Sequence, residues 1–284
     1  MRILLLAALL SAAAGPVFPE GLRGRAYRVK ADGPRYSSHD ITIRFTDSTV
    51  SIPEYLPSPG IFRGEEESPC TVRLKNKVPY IEYGTGERRR GIVLYSSDIL
   101  LIYNEDDTLL HWGARPSPDF PVMFCKAEYT ASSYLVEDLA GGRVEYGPEK
   151  LGQFKTLGQC WANGGGNYAV GETITLRCGR DTGRLLFSNG YVAYSRPDLY
   201  TKNSRVRTVR VRDRESGAVV ETELEDTPKP QWIELNGPGR IFELEILAVY
   251  QGTKYRDTCI NFILPEMTIY EWDPYLGPQG QDTE

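Results

Sequence analysis

Two histidines, His39 and His111, are the only side chains of their type that could serve as a general base near neutral pH. His39 lies in Ser37-Ser38-His39-Asp40, which contains the residue types of a nucleophile–base–acid triad. Triad partners normally come together from separate segments of a fold, so neighbours in sequence rarely form one. His111 stands beside Trp112 and fits the edge of a strand. The sequence therefore predicts no catalytic residue and no enzyme.

Other reactive sites are equally unmarked in the sequence. No spacing of histidine and cysteine fits a zinc site. Gly164-Gly165-Gly166 lacks the Lys-Ser/Thr that a phosphate-binding loop requires. The 38 acidic residues contain no pair that the sequence singles out as a glycosidase dyad. We therefore predict neither a metal nor a cofactor.

Aromatic and fork-shaped polar side chains in the second half of the chain could instead bind a sugar. A flat ring packs on the apolar face of a pyranose, and Arg, Asn and Asp meet neighbouring hydroxyls. The candidate ligand-binding residues are Trp161, Tyr168, Tyr191, Tyr200, Asn203, Arg205, Tyr255 and Asp257. A glycine-rich loop is expected to present Trp161 and Tyr168. The alternative is structural, with Glu172, Arg205 and Asp257 in a buried ion network and Tyr191 in the core.

The elements that position these residues should be β-strands. Alternation in Ile41–Phe45 and in Phe242–Ile246 predicts strands with one wet and one dry face. The chain has 18 Tyr, 28 Gly and 19 Pro, which favours strands and turns. The short, closely spaced strands of the first half predict a small β-meander, closed into a barrel-like domain or a sandwich. About eight strands in the second half predict a jelly-roll β-sandwich.

Five segments of the second half carry a family resemblance. They are Trp161–Tyr168 leading to Gly171–Ile174, Asn189-Gly190-Tyr191, Leu199–Val206, Asp226–Gln231 and Val249–Ile260. Together they resemble the discoidin-like (galactose-binding-like) domain of the type found at the front of streptococcal NAD glycohydrolase. The resemblance covers residues 131–265. It implies a non-catalytic glycan-binding sandwich of an exported bacterial protein, and it does not imply hydrolysis of NAD.

The start of the chain predicts export. Arg2 precedes the apolar run Ile3–Leu10 and the small residues Ser11–Gly15, which is the order of a secretory signal peptide. We expect cleavage near residue 15, no transmembrane anchor afterwards, and a secreted, periplasmic or envelope location. The net charge of −5 argues against a nucleic-acid partner. A glycan or glycoconjugate is the expected partner, and an envelope protein bound through the same sandwich is the alternative.

The domain boundaries follow from these patterns. We predict a signal peptide at 1–15, a β-rich domain of unknown role at 16–125, the sandwich at 131–265 and a tail at 266–284. The sandwich is expected to fold by itself, because it has enough strands for its own core.

The five cysteines permit disulfides in an exported protein, although an odd number leaves at least one thiol unpaired. The sequence allows 15 ways of drawing two bridges. Our expectation is a bridge between Cys160 and Cys178, with Cys259 as a buried free thiol.

Overall fold

The computed structural model describes residues 21–29, 42–52, 54–55, 62–63, 67–85, 88–114 and 122–268. Among these residues nearly all regular structure is β-strand. The helical segments in the described part are one 3-10 helix at Pro148–Gly152 and one short helix, α1, at Asp198–Lys202. The predicted all-β class is therefore confirmed. The predicted leader, His39 and residues 269–284 lie outside the described residues.

A closed antiparallel barrel occupies the first half of the chain, in the strand order β1-β10-β9-β8-β7-β6-β3-β2. Its strands are β1 (Ala26–Val29), β2 (Thr42–Phe45), β3 (Thr49–Ser51), β6 (Glu67–Lys75), β7 (Val78–Tyr83), β8 (Arg89–Tyr95), β9 (Ile99–Asn104) and β10 (Leu109–Ala114). A small ribbon of β4 (Glu54–Tyr55) and β5 (Phe62–Arg63) is separate. Tyr27, Ile43, Phe45 and Leu100 are among the residues that fill the apolar core of the barrel. The expected barrel-like first half is confirmed.

The second half is a β-sandwich whose longest strands bend through both layers. Its strands are β11 (Ala127–Ala131), β12 (Val136–Leu139), β13 (Gly142–Glu145), β14 (Trp161–Ala162), β15 (Thr173–Asn189), β16 (Ser204–Asp213), β17 (Val219–Glu223), β18 (Gln231–Tyr250) and β19 (Thr258–Met267). β12 and β13 form a separate hairpin.

Strand pairing shows how the two layers arise. Residues 174–178 of β15 pair with β11 on one side, and residues 173–177 pair with residues 241–245 of β18 on the other. Beyond the register shifts near Thr182, residues 184–187 pair with the start of β18 and with β19. Bulges of this kind bend a strand and let it change layers. Leu176, Phe187, Phe242 and Ile263 belong to the core of this sandwich.

Barrel and sandwich share an apolar cluster. Ile92, Leu101 and Tyr103 of the barrel belong to the same buried cluster as Phe262 and Leu264 of β19. Strands β8 and β9 are consequently buried on both faces, in contrast to the half-buried alternation of β7. The two halves thus pack against each other along a dry face.

Strand pairing in the second half runs beyond residues 131 and 265. β11 begins at Ala127, before the predicted start at residue 131, and Phe124 forms a bridge with Glu266. β19 continues to Met267 and includes Glu266.

Neighbouring cysteines also differ from the expected pairing. Cys160 lies in a small buried cluster with Cys259, and Cys178 hydrogen-bonds Cys125. All five cysteines are free thiols in the structure, and Cys259 is buried as expected. The expected bridge between Cys160 and Cys178 is wrong, because β14 and β15 place these residues on different ladders.

Among the described residues, no helix is both long and apolar enough to cross a membrane.

Candidate functional site

One pocket of the sandwich brings together four of the eight predicted ligand-binding residues. Its volume is about 290 Å³. It is lined by Leu135, Glu137, Leu139, Tyr146, Ala162, Tyr191, Arg196, Leu199, Asn203, Tyr255, Asp257 and Cys259. Tyr191, Asn203, Tyr255 and Asp257 are the predicted members. Below, these twelve residues are called the β12 pocket, after the hairpin strand that forms one wall.

A loop held by backbone hydrogen bonds carries Tyr255 and Asp257. The Tyr255 amide donates to the Lys202 carbonyl at 2.8 Å, and the Ser204 amide donates to the Asp257 carbonyl at 2.8 Å. Gly252 is needed for this approach, because a Cβ there would lie 2.2 Å from the Lys202 carbonyl oxygen. The β18–β19 loop is thereby fixed against the end of α1.

Asn203 and Tyr191 form another part of the wall. The Asn203 side-chain amide donates to the Leu199 carbonyl at 3.0 Å, which satisfies a carbonyl at the end of α1. The Tyr191 hydroxyl donates to the Gly158 carbonyl at 3.0 Å. The hydroxyl proton of Tyr191 is therefore already engaged, and Tyr191 contributes its aromatic ring to the pocket lining.

Two carboxylates face the β12 pocket without a cationic partner. Neither Glu137 nor Asp257 forms an ion pair with any residue in the described ranges. Burial, and then the nearby charge of Glu137, raise the pKa of Asp257 above its ordinary value of 3.8. A partly buried carboxylate normally has a partner, so this pair leaves hydrogen-bond acceptors for a ligand.

The remaining polar groups of the pocket are better satisfied. The Tyr146 hydroxyl hydrogen-bonds Glu137; burial first, and then this bond, raise the pKa of Tyr146 to about 12. Arg196 is exposed and pairs with Asp198, with 3.3 Å between Nε and Oδ1. The pocket therefore combines tyrosine rings with acceptor oxygens. Arg196, the one basic residue in its described lining, already has a partner, and the Lys254 ammonium lies 4.9 Å from the centre of the Tyr255 ring.

The expectation that a glycine-rich loop presents Trp161 is wrong. Its side chain has 0% exposure, belongs to the sandwich core and donates from Nε1 to the Ser133 carbonyl at 3.0 Å. Trp161 begins strand β14 and lies opposite Ile260 of β19. The exposed glycine loop does exist at 164–166, but it starts only after the strand has buried the indole.

Tyr200 and Arg205 belong to a buried ion network instead of the pocket. The Arg205 guanidinium binds both carboxylate oxygens of Asp226, at 3.0 and 2.8 Å. The Tyr200 hydroxyl contacts the same carboxylate at 3.3 Å, and its ring is fully buried. Burial opposes ionisation of Asp226, but hydrogen bonds from Arg205 and Lys77 outweigh it and lower the Asp226 pKa. The structural alternative for Arg205 is thus the correct one, with Asp226 as its partner in place of Glu172 and Asp257.

Tyr168 is half-buried and lies outside the β12 pocket. Its backbone has a φ of 60°, and its carbonyl accepts a hydrogen bond from Thr258 at 2.9 Å. The Arg256 guanidinium lies 5.6 Å from the centre of its ring. The tyrosine therefore anchors the glycine loop beside β19.

The hairpin residues Glu137, Leu139 and Tyr146 are site residues that sequence reasoning missed. The turn signal Gly141-Gly142 could have shown the hairpin itself. That this hairpin covers the pocket depends on tertiary contacts, such as the Tyr146 amide donating to the Leu135 carbonyl at 2.9 Å.

Comparisons with known proteins give one family and a set of solved structures. The sequence model of the family described as "NAD glycohydrolase translocation F5/8 type C domain" matches residues 124–265. No curated protein sequence matches the chain.

Solved structures similar to the chain include family 32 carbohydrate-binding modules. The module of Clostridium perfringens NanJ, in complex with galactose, is 11% identical over 49% of this chain and 93% of its own, with a TM-score of 0.36. The module of Streptococcus pneumoniae EndoD is 12% identical over 52% of this chain and 99% of its own, with a TM-score of 0.38. CpGH89CBM32-5 from Clostridium perfringens, in complex with GalNAc-β-1,3-galactose, is 13% identical over 49% and 94%, with a TM-score of 0.35.

Proposed function

Because the chain belongs, through residues 124–265, to the family of NAD glycohydrolase translocation F5/8 type C domains, we propose that its sandwich binds a carbohydrate in the β12 pocket. The observation that carries this proposal is the meeting of tyrosine rings in one pocket with two carboxylates, Glu137 and Asp257, that form no ion pair among the described residues. The protein acts as a binding module and not as an enzyme.

The size and shape of the pocket suit a small sugar. Its volume of about 290 Å³ is near the lower end of the range for small-ligand sites. Such a cavity admits one or two sugar rings at the end of a glycan, while the rest of the chain remains in solvent.

The chemistry of the lining suits a polyol. The rings of Tyr191 and Tyr255 offer apolar faces for the C–H side of a pyranose. An ionised carboxylate accepts hydrogen bonds from two neighbouring hydroxyls, and such charge-assisted bonds are stronger than neutral ones. Asp257 fits this role best, since its carboxylate has no cation among the described residues.

Binding measurements on the full chain test the proposal. A glycan array identifies a ligand, and isothermal titration then measures its affinity for the wild type and for Asp257→Asn and Tyr255→Ala. We expect each substitution to weaken binding about five- to 150-fold, because each removes a contact worth about 1–3 kcal/mol. The melting temperature should change little, because both side chains are only partly buried.

Asp138→Asn is the matched control. Asp138 follows Glu137 on β12, is exposed and does not line the pocket. Its substitution should leave affinity unchanged, whereas Glu137→Gln should weaken it. Equal affinities for all variants would refute the assignment of the β12 pocket as the carbohydrate site. An empty array with correctly folded protein would refute glycan binding and favour docking to an envelope protein. Turnover of a bound glycan that disappears in Asp257→Asn would refute the non-catalytic assignment.

We also propose that the protein is exported by the leader at its start. The basic residue, apolar run and small-residue exit of residues 1–15 support this. Intact-mass measurement on protein recovered from the producing cell's envelope or medium should show loss of the leader near residue 15. Retention of Met1 in that material would contradict export by this route.

A further inference from the structure

Four of the five cysteines form two neighbouring pairs in space. The first pair lies beside the β11–β15 ladder, where Ala127 is opposite Cys178. Cys125 precedes Ala127 by two residues, so its side chain points to the same face of the sheet. The two thiols hydrogen-bond each other, and Cys125 Sγ also lies 3.6 Å from the Thr182 hydroxyl.

The second pair lies beside the β14–β19 ladder. Ala162 is opposite Cys259, and Cys160 directly precedes the first residue of β14. Cys160, Ala162 and Cys259 form one buried cluster, in which the two thiols hydrogen-bond each other. Cys125 and Cys160 both lie outside regular strand, so neither is held at ladder spacing and each can approach its partner.

We propose that the folded chain forms two disulfides, Cys125–Cys178 and Cys160–Cys259, and leaves Cys70 as a buried thiol. Cys70 belongs to the barrel core and lies opposite Tyr83 on β7. It is therefore separated from the four sandwich cysteines by the fold itself.

The oxidation requires an acceptor of the disulfide class, either a protein thiol–disulfide oxidoreductase or oxidised glutathione. For each pair, a thiolate attacks the acceptor and forms a mixed disulfide, which the second thiol of the pair then resolves. One Sγ–Sγ bond forms, and two electrons and two protons leave with the acceptor as two thiols.

The first pair is suited to begin this exchange. The hydrogen bond from Cys178 lowers the pKa of Cys125 to about 6, although burial opposes it. The same contact raises the pKa of Cys178. Cys125 is also the more exposed of the two thiols and lies outside regular strand, whereas Cys178 is buried within β15. We therefore assign Cys125 as the attacking sulfur and Cys178 as the resolving thiol.

The second bridge bears on the β12 pocket. Cys259 lines the pocket two residues after Asp257. A bond from Cys259 to Cys160 would fix the start of β19 to the segment that leads into β14. The pocket wall would then be covalently closed on that side. The proposed pairing does not depend on what the pocket binds.

Peptide mapping of the full chain tests the pairing. The protein is refolded in a glutathione redox buffer, alkylated without reduction and digested. Mass spectrometry should find two linked peptide pairs, each lighter by two hydrogens than the sum of its peptides, and alkylation at Cys70 alone. A Cys160–Cys178 link, or alkylation of all five cysteines, would overturn the proposal. A single link would overturn the other bridge.

Single variants provide the matched controls. Cys178→Ser should release only Cys125 for alkylation, and Cys160→Ser should release only Cys259. Cys70→Ser should leave both links in place. If a variant does not fold, the map of the wild-type protein still decides the pairing. Glycan affinity is measured separately, so failure of the pairing and failure of sugar binding have different readouts.

Discussion

Replacing Trp161 with alanine should lower the free energy of unfolding of the sandwich. The β12 pocket should remain intact in the molecules that are folded. The indole has 0% exposure and packs in the same cluster as Ile260 and other core residues. It does not line the pocket, although its neighbour Ala162 does. The substitution therefore separates a packing role from a binding role.

The expected cost follows from what the side chain loses. Truncating a buried tryptophan to alanine costs about 3–5 kcal/mol of unfolding free energy, because a cavity remains. The hydrogen bond from Nε1 to the Ser133 carbonyl, at 3.0 Å, adds about 1 kcal/mol. In a protein of this size each kcal/mol lowers the melting temperature by roughly 2–4 °C. We therefore expect a fall of about 8–24 °C.

Calorimetry or circular dichroism gives the melting temperature, and titration well below it gives ligand affinity. Trp161→Phe retains most of the ring but loses the hydrogen bond, so it should fall between the wild type and alanine. Tyr134→Ala is the control, since Tyr134 is 41% exposed in the neighbouring segment. Its effect should stay within about 0.5 kcal/mol. A Trp161→Ala protein with unchanged melting and tenfold weaker binding would refute the core assignment.

Three further outcomes are expected. Asp226→Asn should lower the free energy of unfolding by about 3 kcal/mol, since it leaves Arg205 buried without an ionic partner. The lowered pKa of Asp226 means that the wild type loses stability as the pH falls below about 4, and the variant should lose less over that range. Burial, and then a nearby arginine, lower the pKa of His111 to about 4. The wild type should therefore lose stability as the pH falls from about 6.5 to about 4, and His111→Gln should not. Parallel curves of unfolding free energy against pH for the two proteins would contradict this. Glycans ending in a uronic acid should bind about tenfold more weakly than neutral ones, because Glu137 and Asp257 repel a carboxylate, and titration of matched oligosaccharides would show equal affinities if this is wrong.

The alternating strand patterns could be predicted because burial on one face leaves a direct trace in sequence. In Phe242–Ile246 the three apolar residues are buried, and Glu243 and Glu245 lie on the other face, paired with Arg214 and Arg210. The turn residues between such segments predicted about eight strands in the second half, where the described residues form nine, β11–β19. The segments of the second half pointed to the correct family.

The candidate site was predicted only in part, because its members are brought together by contacts that periodicity does not encode. Trp161 belongs to a strand of two residues, which is too short to show alternation. Its glycine-rich neighbours therefore suggested a loop. Arg205 was recognised as a candidate for an ion network, but its partner, Asp226, lies 21 residues away on another segment. Residue type showed the chemistry, and the fold alone determined the partner.

The barrel contributes to the site through the segment that carries Tyr191. Asp107, in the turn between β9 and β10, accepts a hydrogen bond from the Tyr194 amide at 2.6 Å through Oδ1. Its carbonyl accepts another from the Leu157 amide at 2.8 Å. Gly158, the next residue, receives the Tyr191 hydroxyl. One turn of the barrel thus holds the two segments, 157–158 and 191–194, that set the position of the Tyr191 ring. A sandwich without the barrel would lose these contacts as well as the cover of its apolar face, so the shape of the pocket depends on a domain that does not line it.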